Sequence, residues 1–150
     1  MTKRYSMKRI LYPALFVFVA LFSTASMCSE DENDDMPNQG VKTSLSYGTW
    51  RVTYFFDKQD ETGDFSGYSF QFNDDGVAIA TKSSLSIRGS WDTEDSSDGN
   101  SKLYLDFGAG EPLEELNEDW KVVGNSGSKV TLEHVSGGNG DTDILVLERN

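Results

Sequence analysis

His134 is the only histidine in the chain and Cys28 the only cysteine. With a run of carboxylates, these are the residues that catalytic or metal chemistry would have to use. A Ser-His-Asp site would have to be built around His134, but no G-x-S-x-G elbow is present to supply its nucleophile. The histidine is expected to sit on a strand face as a structural residue. Glu111, Glu114, Glu115, Glu118 and Asp119 fall in one short stretch. Nothing in their spacing holds two carboxylates at the separation that glycoside hydrolysis needs, so a solvated acidic helix is expected there. One histidine and no pair of thiols argue against zinc. Two oxygen-rich segments bear on calcium. "GGNGDTD", 137–143, has the Gly/Asp flavour of a calcium-binding β-helix repeat, but Thr142 stands where an Asp is needed and there is one copy. "DSSDGN", 95–100, lacks the closing glutamate of an EF-hand loop. Both are expected to be hairpin loops. The chain is therefore expected to be no enzyme, with no catalytic residue, metal or cofactor.

Cys28 has another use. Residues 1–27 have the order of an export signal: Lys3, Arg4, Lys8 and Arg9, then the apolar run Ile10 to Phe22. Thirteen apolar residues are too few to span a bilayer, which takes about 20, and suit a signal-peptide core. Met7 opens the same layout as Met1, so either is a start. Two export readings follow. In one, the residues around Cys28 resemble a lipobox, with Ala25 and Ser26 fitting the pattern and Met27 departing from it. Cys28 would then be the acylated first residue of a lipoprotein. In the other, Ser23 and Ala25 form a small-x-small site, and cleavage after Ala25 leaves a soluble secreted or periplasmic protein with a free thiol. "CSEDENDD" resembles the cysteine-plus-acidic stretch of surface-exported lipoproteins in the Bacteroidetes group. That resemblance implies an outer-membrane protein, lipid-anchored at Cys28 and exposed at the surface. A lone cysteine excludes the internal disulfide common in exported domains.

The charge sharpens the choice of partners. All 25 acids follow residue 27 while four of the 13 bases precede it, leaving 25 acids against 9 bases, a formal charge of −16. Such a chain is soluble and is repelled by nucleic acid and anionic lipid surfaces, so nucleic acid is excluded as a partner. Its expected membrane contact is the anchor at Cys28. A monomer is expected.

Behind the leader, residues 28–44 are polar and carry Pro37 and Gly40, so they read as the lipidated N-terminus and a flexible acidic tether. From Leu45 to Asn150 the pattern is short apolar alternations separated by turns. The runs are "YGTWRVTYFFD", "FSGYSFQFN", "VAIATK", "LSIRGSWDT", "KLYLDF", "WKVVGN", "KVTLEHVS" and "DILVLER". "DDG" at 74–76 is a strong hairpin signal because Gly accepts positive φ. "EPLEELNED" is the one helical turn, near 112–118, with Pro112 suited to its first position. Eight alternating strands joined by short turns predict an all-β domain, an eight-stranded antiparallel up-and-down barrel, with a β-sandwich as the alternative. The inward face is expected to hold Trp50, Val52, Tyr54, Phe56, Tyr68, Phe70, Phe72, Ile87, Trp91, Leu103, Leu105, Phe107, Trp120, Val122, Val130, Leu132, Leu145 and Leu147.

Two ends of this domain carry a resemblance. "GTW", Gly48-Thr49-Trp50, opens the first strand, and Arg149 ends the last. This resembles the calycin pattern of lipocalins, in which a G-x-W tryptophan packs against a basic residue of the final strand at the closed end. More broadly, 45–150 is similar to the lipocalin-like domains of Bacteroidetes lipoproteins, through Gly89-Ser90-Trp91, Trp120-Lys121-Val122 and the closing "LVLER". The resemblance implies that Gly48, Trp50 and Arg149 close the barrel and that its open end can hold a small hydrophobic or amphipathic ligand. Tyr54, Phe56, Tyr68 and Phe70 are the candidate pocket residues. An eight-stranded barrel is just wide enough either to fill itself or to hold one small ligand. A filled barrel would instead make the domain a module that binds a protein or glycan.

Overall fold

In the computed structural model, residues 40–95, 99–135 and 140–150 are described. The expected signal segment, Cys28, most of the expected tether, and parts of the "DSSDGN" and "GGNGDTD" segments lie outside the described residues. The alternating runs form the strands β1 (Trp50–Asp57), β2 (Gln59–Asp60), β3 (Tyr68–Phe72), β4 (Val77–Lys82), β5 (Leu85–Glu94), β6 (Lys102–Asp106), β7 (Asp119–Asn125), β8 (Lys129–Val135) and β9 (Thr142–Arg149). Every pairing is antiparallel, from β3 to β9 neighbours in sequence are neighbours in the sheet, and β1 pairs with both β3 and β9 to close it. The two-residue β2 only folds back on the end of β1, through Asp57↔Gln59. The remaining eight strands make the closed up-and-down barrel that the alternation predicts, so the β-sandwich alternative falls away.

The turn between β3 and β4 is held by local hydrogen bonds. In the "DDG" turn, Val77 N donates to Asp75 Oδ1 (3.1 Å) and Gly76 N to the Asn73 carbonyl (3.0 Å). The Trp91 indole then donates to that same carbonyl at 2.8 Å, tying β5 to the hairpin. Gly89 has a steric reason to be glycine: a Cβ there would stand 2.3 Å from the Asp106 carbonyl and 2.7 Å from the Phe107 ring. Its bare backbone lets β6 cross close to β5. The acidic stretch forms a 3-10 turn, Leu113–Leu116, with Pro112 at its N-cap; it is shorter than the helical turn expected there.

The sequence expectation fails in two places. The first is β1. Val52 pairs with Leu147 and Tyr54 with Val146, so Thr53 is an extra residue, a β-bulge. Because side chains alternate with period two, one inserted residue exchanges the faces beyond it. Phe55 therefore points inward, 1% exposed, and Tyr54 and Phe56 point outward, half-buried. Their expected inward placement is wrong for this reason. A second bulge, at Val123, separates the Val122↔Leu132 and Gly124↔Thr131 pairs of β7 and β8. The second failure is the tether. Its last residues form α1 (Val41–Leu45), whose Val41, Ser44 and Leu45 are buried. Their i, i+3, i+4 spacing puts them on one helical face, and that face joins the core. The folded domain thus reaches back to Gly40.

The core is ringed by aromatics that meet across the barrel. Phe55 on β1 makes an edge contact with Trp120 on β7 (ring centroids 6.3 Å apart) and with Phe65 (4.9 Å). Phe70 on β3 meets Phe107, just past β6, at 5.9 Å, and Phe72 meets Trp91 at 5.3 Å. Trp50, Phe55, Phe70 and Trp120 are each no more than 1% exposed. Each such ring removes roughly 150–250 Å² from water. Ile87 and Val122 are only partly buried against this core; apart from Tyr54 and Phe56, the remaining expected inward residues are buried in it.

Candidate functional site

The barrel has two differently built ends. At the first, α1, the start of β1 and the end of β9 converge. The Trp50 indole donates to the Leu45 carbonyl at 3.0 Å, and Trp50 lies opposite Arg149 in the β1–β9 ladder. Arg149 lays its guanidinium 5.1 Å from the Trp50 ring and 5.4 Å from Tyr47, a cation–π sandwich. Its Nη2 donates to the Ser44 carbonyl at 3.1 Å and also to the Gly127 carbonyl. Gly48 has φ +82°, and a Cβ there would press on the Arg149 stem at 3.1 Å. A side chain at position 48 would thus meet strain and crowding together. The three residues singled out in sequence do meet here, as a plug.

The four candidate pocket residues do not converge. Tyr54 and Phe56 stack on each other outside the barrel, with ring centroids 6.4 Å apart. Tyr68 and Phe70 face inward, 6.1 Å apart, with the Lys82 ammonium 4.8 Å from the Tyr68 ring. The Thr53 bulge separates the two pairs. The alternation was legible, but a Thr in a strand gives no sign that it is the bulged residue.

The opposite end is acidic. A surface cleft of about 470 Å³ is lined by Glu61, Asp64, Glu111, Pro112 and Glu115. Four carboxylates round one proline suit no apolar ligand. Glu115 is held above the ordinary carboxylate range by desolvation first, then by the charges of Asp57, Glu61, Glu114 and Glu111. A folded-state value raised above the unfolded one disfavours the charged form. The stability tied to this group is fully present below the ordinary glutamate pKa and is lost as pH rises through the raised value. Glu115→Gln should therefore stabilise the domain at pH 7 by roughly 0.3–0.5 kcal/mol, the scale of a solvent-screened charge. The gain should vanish in acid and shrink in high salt. Melting curves over a pH and salt grid check this; a gain that survives in acid contradicts it.

Beside this cleft, strand pairing assembles groups that lie far apart in sequence. β8 and β9 set His134 directly opposite Asp143. The loop into β7 brings Glu118 Oε2 to 3.2 Å from His134 Nδ1, and Asp119, the first residue of β7, places Oδ1 4.0 Å from Nε2. The 3.2 Å contact is an ion-pair distance without hydrogen-bond geometry, and Nδ1 is buried with no hydrogen-bond partner. Asp119 is fixed from its other side by Lys102 Nζ, 2.7 Å from Oδ2, and that bond holds its carboxyl below the usual range. Asp143 is 8% exposed and its Oδ1 has no partner. Burial pushes its carboxyl up, Asp57 and Glu118 add to that, and His134 and Lys58 oppose it. Trp120 packs edge-on against His134 at 6.0 Å. This cluster is hidden in the sequence because its members span 26 residues and meet only through the β7–β8 and β8–β9 pairings. The lone histidine and the acidic stretch that holds Glu118 and Asp119 are both visible in sequence; their meeting is not.

The fold and these two ends define a small closed antiparallel barrel with a ring-packed interior, plugged at one end and acidic at the other. No family model and no curated protein matches the chain. Among solved structures it is similar to the crystal structure of a DUF4847 family protein from Bacteroides vulgatus ATCC 8482. The TM-score is 0.50 at 17% identity, over 74% of this chain and 98% of that one. At that identity the likeness shows the fold alone.

Proposed function

We propose that this chain is a lipoprotein, acylated at Cys28, that presents a filled lipocalin-like barrel at the outer surface as a non-enzymatic module for a protein or glycan partner. The observation that carries this reading is the set of ring contacts across the barrel, Phe55 to Trp120 and Phe70 to Phe107, in the space a small ligand would need. They favour an interaction module over a carrier of small apolar molecules, the other reading of the sequence. The meeting of Gly48, Trp50 and Arg149 supports the lipocalin-like assignment. The basic-then-apolar leader and the acids after Cys28 support the anchor. A single acyl chain binds membranes only marginally, so a stable anchor implies a multiply acylated cysteine.

The test has two arms. Intrinsic tryptophan fluorescence and melting temperature are followed while fatty acids and retinoids are added; neither should change. A saturable emission change with a rise in melting temperature would restore the carrier reading. In cells, the wild-type chain should sediment with membranes and carry the mass of a lipid, and Cys28→Ser should lose both. A variant that stays in the membrane fraction at unchanged mobility would refute the anchor.

A further inference from the structure

We propose that Glu118, Asp119 and His134 form a binding site for one divalent transition-metal ion of the zinc type, with the buried carboxylate of Asp143 beside it as a supporting charge. Each of the three offers one ligand atom within 4.8 Å of the other two. Two ligands about 2.1 Å from one ion stand at most ~4.2 Å apart. A small closure is therefore enough, and the half-exposed side chain of Glu118, 45% exposed, can make it while Lys102 holds Asp119 in place.

Two features separate this cluster from the acids elsewhere on the surface. The first is the imidazole. His134 Nδ1 is buried and faces a carboxylate oxygen at 3.2 Å without a hydrogen bond between them. A nitrogen and an oxygen that share an ion rather than a proton stand in such a relation. The second is Asp143, 8% exposed, with an unpartnered oxygen, directly across the β8–β9 ladder from His134. An uncompensated buried carboxylate is costly, and a cation two side chains away relieves it.

Ligand chemistry selects the ion. One imidazole with carboxylates suits zinc, manganese, iron or nickel; calcium and magnesium take oxygen ligands and gain nothing from the histidine. Lys102 fixes Asp119 through Oδ2 and leaves Oδ1 turned toward the imidazole. That is how outer-shell partners orient metal ligands. The sequence argued against zinc because one histidine and no thiol pair match no dense ligand motif. The barrel register supplies the carboxylates instead.

Because the chain has a single histidine, its imidazole resonances report on this site alone. The full-length chain in mild detergent, labelled at histidine, is titrated with zinc chloride over a background of calcium that occupies ordinary surface carboxylates. The His134 signals should shift and saturate at one equivalent, with a rise in melting temperature that EDTA reverses. Glu118→Gln, an exposed and conservative change, should weaken binding at least about tenfold, and Asp143→Asn should weaken it less. His134 signals unmoved in molar excess of zinc would overturn the proposal. So would a Glu118→Gln variant that folds and binds as tightly as the wild type.

Discussion

Phe55→Ala should cost about 3–5 kcal/mol of folding stability, the range for truncating a buried ring, whereas Tyr54→Ala should cost about 1 kcal/mol. The two are adjacent in sequence, and periodicity alone assigns the core to Tyr54. The bulge at Thr53 reverses that order: Phe55 is 1% exposed and lies between Phe65 and Trp120, while Tyr54 stacks only on Phe56 outside. Removal of the Phe55 ring leaves a void walled by two aromatics and the β9 core, and a closed barrel has little freedom to collapse into it. Urea unfolding of the two variants measures the contrast. Equal losses, or a larger loss for Tyr54→Ala, would mean that β1 carries no bulge in solution.

The second large effect concerns the plug. Arg149→Ala should cost about 2–4 kcal/mol, because it removes charge-assisted bonds to the Ser44 and Gly127 carbonyls together with the stack on Trp50. Arg149→Lys should recover less than half of the loss. An ammonium keeps the charge but cannot lie flat on an indole and reach two carbonyls at once. The Trp50 emission should shift red in the alanine variant as water reaches the ring. A lysine variant as stable as wild type would reduce the role of Arg149 to charge alone.

These two residues also mark how far the sequence could be read. Arg149 was legible because the G-x-W of the first strand and a basic residue ending the last resemble the calycin pattern, and an arginine stacked on an indole has a direct physical meaning. The eight strand runs were legible because period-two alternation and Gly/Asp turns are local signals. Phe55 was not, since a bulge depends on how two strands settle against each other and no residue type announces it. α1 was hidden for a related reason. Val41 and Leu45 are too few to show a helical period, and only burial against the barrel distinguishes them from the polar tether before them. His134 stands alone in the sequence; the β7–β8 pairing brings Glu118 and Asp119 to it, and the β8–β9 register sets Asp143 across from it.

The pairing of β1 with β9 also governs when the domain can fold. Trp50 finds its ladder partner 99 residues later, at Arg149, and Asn150 N donates to the Thr49 carbonyl at 2.8 Å. Until β9 has been synthesised, β1 and β8 each keep an unpaired edge. The barrel must wait in an open, slow-closing state dominated by long-range contacts. During that wait the unpaired edge of β1 is a template for pairing with another chain. A chain that loses its last strand should therefore not settle into a slightly weaker barrel but should pair with its neighbours.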